Sequence, residues 1–427
     1  MTTFWILGYA FYLYLIATYL QRDNLFSVIG CFTLAFSIYF FLIPIVKKNS
    51  IRVIFYAAIL FRFVTLFHLP TLSDDFYRFL WDGYLVFSGE NPYLNTPQYW
   101  MNSNLLTNTP NELDLLYDKM NSREFFSVYP LVSQAFFVIP WISGFQTIEA
   151  QSLILKLILF TFEIGNLFLL KQNHPKSINY WLYAGNPLLI LESVTEIHLE
   201  SILTFFMLLL LSRGVQIRKF IFYLFFVILI HIKINLIFLA PAFFKRLNKI
   251  HKFSFVLISL LCIFSIFLTV FYNLGDQTRS GIGLFFHSFR FHSLMEMPIY
   301  LILFLIPKFQ YLSGFISLIL GGILYLYLLR IKTIDDNGSV FLGLLILYLF
   351  SPVVHPWYIL PVFALSIRSS SFEVMITVLS VFAAFSYIFY FNNSMIIQIL
   401  FSLVESMFVV GYVWIKKPSL FSQKTQS

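Results

Sequence analysis

Residues 72–93 read LSDDFYRFLWDGYLVFSGENPY, and the placement of charge in this stretch decides how the rest of the chain is read. Asp75, Arg78 and Asp82 fall at i, i+3 and i+7, one face of a helix. Phe76, Phe79, Leu80, Tyr84 and Phe87 fall on the opposite face. Ser73-Asp74-Asp75 makes a good helix start, with a capping hydroxyl and acids in the first turn. Gly89-Glu90-Asn91-Pro92 ends the helix. The stretch follows directly on an apolar run. It is predicted to be an amphipathic helix lying on a membrane surface, with two adjacent carboxylates at its start.

Composition agrees with that setting. Of 427 residues, 59% are hydrophobic, 20% aromatic and only 11% charged, and the mean hydropathy is +0.81. A soluble domain carries about 25% charged residues. The expected fold is therefore all-α, a polytopic membrane protein with about 11–13 transmembrane helices and half-helices. The net charge of +8 does not point to nucleic acid, because the basic residues lie in short loops between apolar segments. There is no Walker, Rossmann or Cys/His zinc pattern, and no polar stretch long enough for a soluble nucleotide-sugar domain. The first apolar run, 4–20, lacks a basic region before it and a small-residue cleavage site after it, so it is expected to be a span and not a cleaved signal. Cys31 and Cys262 sit inside apolar runs and read as buried thiols.

Apolar runs of spanning length recur at 4–20, 25–46, 53–69, 151–170, 178–194, 197–211, 253–272, 309–329, 340–354, 372–391 and 394–415. The run 220–244 is interrupted by His231-Ile232-Lys233, and 125–145 contains Pro130, Pro140 and Trp141. Lys47, Lys48 and Arg52 place the second loop in the cytoplasm. The later basic loops follow it there only if 125–145 dips into the membrane and returns and 220–244 is a hairpin of two half-helices. In that topology Ser73-Asp74-Asp75, the Glu192–Glu200 turn, the 274–298 loop and His355-Pro356-Trp357-Tyr358 meet at the outer surface. Non-helical backbone at membrane depth is tolerated where it lines a cavity.

Asp74 and Asp75 lead the chemically capable residues. A carboxylate beside a like charge at a membrane surface has a raised pKa and can act as a general base; the pair is also explained by helix capping alone. If the helix starts at Asp74, internal pairing along Asp75–Arg78–Asp82 leaves Asp74 free, and Asp74 is the expected base. Arg62 and Glu163 are charges within spans and are expected to pair with each other. Glu112, Asp114, Asp118 and Asp276 show no cage spacing, so no metal site is assigned, while a divalent cation (magnesium or manganese) stays open.

The run SDDFYRFLWDGYLVFSGENPY closely resembles the first extracytoplasmic loop of GT-C glycosyltransferases, and more narrowly that of bacterial polyprenol-phosphate-mannose-dependent mannosyltransferases. Ser127-Val128-Tyr129-Pro130 is similar to their Tyr-Pro-Pro segment, with Leu131 in place of the second proline. Asn186-Pro187-Leu188-Leu189-Ile190-Leu191-Glu192 with His198 resembles their N-P-L-x-x-L-E…H-N-D run, although Leu199-Glu200 replaces Asn-Asp and Glu196 replaces a small residue. His355-Pro356-Trp357-Tyr358 matches their late H-P-W-Y motif.

The resemblance runs in order from about Val53 to Pro361. It implies a GT-C fold with amphipathic juxtamembrane helices in loop 72–149. Two N-terminal helices (1–52) would precede a catalytic module (53–252), followed by a variable module (253–427). It further implies a bacterial inner-membrane enzyme with an extracytoplasmic site. A polyprenyl-phosphate-linked sugar, mannose in the resembled enzymes, would pass to a glycan or glycolipid acceptor with inversion, and a loop aspartate would take the acceptor proton. Arg78, Lys233, His355, Tyr358, Arg279 and Arg290, with His287 and His292, are the candidates for holding donor phosphate or sugar. Arg78 could equally pair with Asp75 or Asp82. Glu192, His198, Glu200 and Tyr129 are the acceptor or sugar contacts. A lipid-linked glycan transporter or flippase and a glycan polymerase or ligase are the rival readings. A transporter is expected to show broken helices in two related halves, and no such repeat is visible here.

Overall fold

A computed structural model describes residues 2–103, 110–173, 177–212, 219–273, 280, 283, 289–331, 334–367, 372–391 and 394–421. The described chain is helical and has no strand, only an isolated bridge between Phe291 and Val353. Among the described residues, six helices are long and apolar enough to cross a membrane: Leu25–Lys47, Ile148–Gln172, Lys249–Leu268, Pro307–Leu328, Glu373–Phe391 and Met395–Lys416. A seventh span would be the bent pair Pro187–Thr195 and Glu200–Leu211. This is the construction of a multi-pass membrane protein. The runs 178–194 and 197–211, expected as separate spans, contribute two pieces of one element bent by 105°.

Shorter apolar helices fill the remainder. Leu131–Ile142, within the run expected to dip, is too short to cross by its length alone. The helix Lys219–Ile232 stops at Lys233, whose backbone is extended (φ −147, ψ 110), before a 3-10 turn over Ile234–Leu239. The interruption read at 231–233 is therefore real.

One apolar core joins residues from Tyr9 to Val409. Arg62 and Glu163 lie inside it, fully buried, with Nε 2.9 Å from Oε1. Arg62 also donates to the carbonyls of Ala58 and Ala184, and Glu163 Oε2 accepts from Asn166 and Tyr183. Two charges at this depth persist because each is neutralised and hydrogen-bonded by the other's surroundings.

The Asp75–Phe87 helix forms as its sequence requires. Ser73 Oγ accepts the Asp75 N–H at 3.2 Å. At the far end Gly89 takes φ +81, and the Glu90 N–H reaches back to the Leu85 carbonyl at 2.8 Å, closing the last turn. Its setting differs from the expectation of a helix resting on a surface, because both faces are covered. Asp82 is fully buried and accepts from Arg78 (2.7 Å), Ser127 (2.5 Å) and Gln134 (3.1 Å). Trp141 donates to the Leu80 carbonyl at 2.8 Å. A Cβ on Gly83 would stand 2.0 Å from the Phe137 carbonyl oxygen, so glycine is what lets this helix lie directly on the backbone of the dipping segment.

Candidate functional site

A cavity of about 620 Å³ opens where the distant segments converge. Asp75 comes from the start of its helix, Tyr129 from the dipping segment, and His198 and Glu200 from the bend of the broken element. Lys233 comes from the helix break, and His355, Trp357 and Tyr358 from the late motif. Broken helices at 195–200 and 233 explain why these residues can meet, since a continuous helix would keep its backbone to itself and carry the side chains past one another. Apolar side chains, among them Ile237, Phe238, Phe271, Phe289 and Leu318, make up much of the remaining lining.

The two aspartates are disposed opposite to expectation. Asp74 is paired: its Oδ2 takes the Arg22 guanidinium, and Arg22 also reaches the Leu72 carbonyl and covers the Tyr390 ring. Asp75 lines the cavity, and no side chain among the described residues hydrogen-bonds its carboxylate. The internal pairing that was to occupy Asp75 leaves it out, because Arg78 turns toward Asp82 and the carbonyls of Ser122 and Phe125. Burial pushes the Asp75 carboxyl above the ordinary aspartate range. His198 opposes that rise and Asp74 reinforces it. Of the pair, Asp75 is the carboxylate suited to accept a proton from a molecule in the cavity.

Lys233 forms an ion pair with Glu200, and its Nζ lies 3.3 Å from the centroid of the Tyr358 ring. His198 is 2% exposed. Its Nδ1 lies 2.9 Å from Glu192 Oε2, while Glu192 Oε1 accepts from Tyr387. The other ring nitrogen, Nε2, has no hydrogen-bond partner among the described residues. The imidazoles of His198 and His355 stack on opposite sides of Trp357, with centroids 3.7 and 4.4 Å away. His355 Nδ1 also lies 3.4 Å from the Tyr390 hydroxyl.

Several sequence candidates are placed elsewhere. Arg78 is buried and committed to Asp82 and to backbone, so it holds loop 72–149 together and does not face the cavity. Arg290 pairs with Glu296, donates to Ser313 and covers the Tyr300 ring. His292 is paired with Glu405 at 2.5 Å, away from the cavity. Glu192 stands behind His198, out of contact with the cavity. Arg279, His287 and Asp276 lie outside the described residues. Among the described residues no group of three or more His, Cys, Asp or Glu could hold a metal ion.

Sequence reasoning did not assign Arg22, Trp357 or Glu196 to the site. Arg22 in the first loop carried no signal. Trp357 was read as part of a motif. Glu196, the acidic residue standing where the resembled run has a small one, was the visible anomaly.

No family model, no curated protein and no solved structure matches this chain.

Proposed function

We propose that this chain is a membrane glycosyltransferase. It moves one sugar from a polyprenyl-phosphate carrier to an extracytoplasmic glycan or glycolipid, with inversion at the anomeric carbon. The observation that carries this reading is the Asp75 carboxylate, with no side-chain donor among the described residues, on a cavity lined by both charged and large apolar side chains. Such a cavity suits a molecule with a sugar phosphate head and an isoprenoid tail.

In this reaction Asp75 takes the acceptor hydroxyl proton as that oxygen attacks the anomeric carbon. The bond from that carbon to the phosphate oxygen breaks, and polyprenyl phosphate leaves. Lys233 stands where it can balance charge on the phosphate oxygens, with Glu200 and Tyr358 fixing its ammonium. His198 and Tyr129 supply polar contacts for hydroxyls, and stacked Trp357 offers an edge against which a pyranose can rest. Mannose is the sugar favoured by the resemblance of the SDDFYRFLWDG and HPWY runs.

The test is incubation of the purified protein with labelled polyprenyl-phosphate hexoses and extracted lipid-linked glycans, followed by product analysis. The expected outcome is a product longer by one sugar, together with free polyprenyl phosphate. Movement of glycan across a vesicle membrane with no new glycosidic bond would replace the enzyme by a transporter. Transfer of a whole oligosaccharide would make it a ligase.

A further inference from the structure

The bend between the half-helices Pro187–Thr195 and Glu200–Leu211 passes through Ile197 at φ 59. A β-branched residue adopts that left-handed conformation only when its surroundings impose it. The residues on either side of it have separate destinations. His198 goes to the cavity. Glu196, 1% exposed, goes the other way and meets the backbone just ahead of Asp75. Its Oε2 accepts the N–H of Leu72 at 2.9 Å and of Ser73 at 3.2 Å, and Oε1 accepts that of Thr71 at 3.5 Å.

The same stretch is held at two further places. Lys156, from the long Ile148–Asn173 helix, donates to the His68 carbonyl and attracts Glu196 electrostatically. Arg22 holds the Leu72 carbonyl and the Asp74 carboxylate. Donors and acceptors from 68 to 74 are thus tied to three buried or half-buried charges, and the next carboxylate, Asp75, is the one left for the cavity.

We propose that Glu196 is a positioning residue for sugar transfer: by gripping the amides of Thr71, Leu72 and Ser73 it presents Asp75 to the cavity. This rests on the reaction proposed above for its kinetic consequence and on geometry alone for the grip. A carboxylate on several amides is a strong and directional anchor, and the strained Ile197 is what points it there.

Two readouts separate the grip from the reaction. The first uses Ser73→Cys in a chain carrying Cys31→Ser and Cys262→Ser, labelled with a maleimide in detergent. Ser73 is 4% exposed, so labelling is slow while the grip holds. Adding Glu196→Ala should raise the rate by about tenfold or more, because the site then opens locally. The second readout is transfer kinetics. Glu196→Ala should lower kcat by about 10–100-fold, the scale of a small misplacement of a reacting group. KM for the lipid donor should stay within about twofold, since the donor contacts are intact. The acid limb of the pH profile should also move to lower pH as Asp75 gains water. Glu196→Gln, which keeps an acceptor oxygen and the side-chain shape, should recover part of kcat and most of the slow labelling, and it stands in if the alanine variant does not fold.

Unchanged labelling in both variants overturns the grip. Faster labelling with unchanged kcat and an unmoved pH profile overturns the positioning role. If the unsubstituted protein transfers no sugar at all, the glycosyltransferase reading fails and the positioning role with it, while the labelling rates still decide whether Glu196 holds the loop.

Discussion

The charged clusters of this molecule follow two opposite plans. Around Arg62 and Glu163, both carboxylate oxygens are engaged, and the guanidinium bonds the carboxylate and two carbonyls. Arg78 and Asp82 form a second centre of this kind, with Ser127 and Gln134 completing the acid's shell. At the cavity, by contrast, the Asp75 carboxylate has no side-chain donor among the described residues and His198 Nε2 has no partner. The difference lies in the acids: the carboxylates of the first two centres are saturated by donors, although Arg62 Nη2 and Arg78 Nη2 have no acceptor, whereas the Asp75 carboxylate is left to what enters the cavity.

The sharpest way to break that contrast is to neutralise each acid in turn. Asp75→Asn should lower kcat by about 10²–10⁴-fold, the usual worth of a general base. Its melting temperature should be unchanged or higher, because a poorly solvated charge has gone. Asp74→Asn loses only a half-exposed ion pair and should cost less than about tenfold. If the two effects exchange places, Asp74 is the base and the contrast drawn here is wrong. The pH profile adds a check. A base works deprotonated, and Asp75 has its pKa raised by burial, so activity should fall on acidification at a pH above the ordinary aspartate value of about 4.

Arg62→Met should act on the other plan. Leaving Glu163 buried and unpaired costs about 3–5 kcal/mol of stability, visible as a large drop in melting temperature in detergent. Any transfer lost should follow the amount of folded protein, with KM and the pH profile unchanged. The smallest of these effects is expected at Gly83. A methyl there must displace the Phe137 carbonyl, and overpacking of this kind costs about 1–3 kcal/mol. A Gly83→Ala protein with unaltered melting would mean that the helix does not lie on the dipping segment as described.

What was legible in the sequence follows from how local the cause is. The Arg62–Glu163 pair could be read because an apolar run leaves a charge few choices of partner. The break at Lys233 could be read because a lysine in a run of that length is anomalous. The late motif, expected to meet the aspartate pair, shares one cavity with Asp75 alone of the two. The choice between Asp74 and Asp75 could not be read, because Arg22, which decides it, lies 52 residues earlier in an unremarkable loop. Arg78 and Arg290 misled for a related reason. Their partners include backbone carbonyls and a serine, groups that any sequence supplies and no pattern marks. That the runs 178–194 and 197–211 meet at a sharp bend could not be read, because run length cannot reveal the turn at Ile197.

The indole of Trp357, held between two imidazoles, gives the protein an optical reporter of its own. Indole emission is sensitive to the charge and contact of the rings on its faces. In a chain whose other six tryptophans are replaced by phenylalanine, a molecule that enters beside His198 or His355 should change the emission of Trp357, so that occupancy of the cavity can be titrated by light before any product is known.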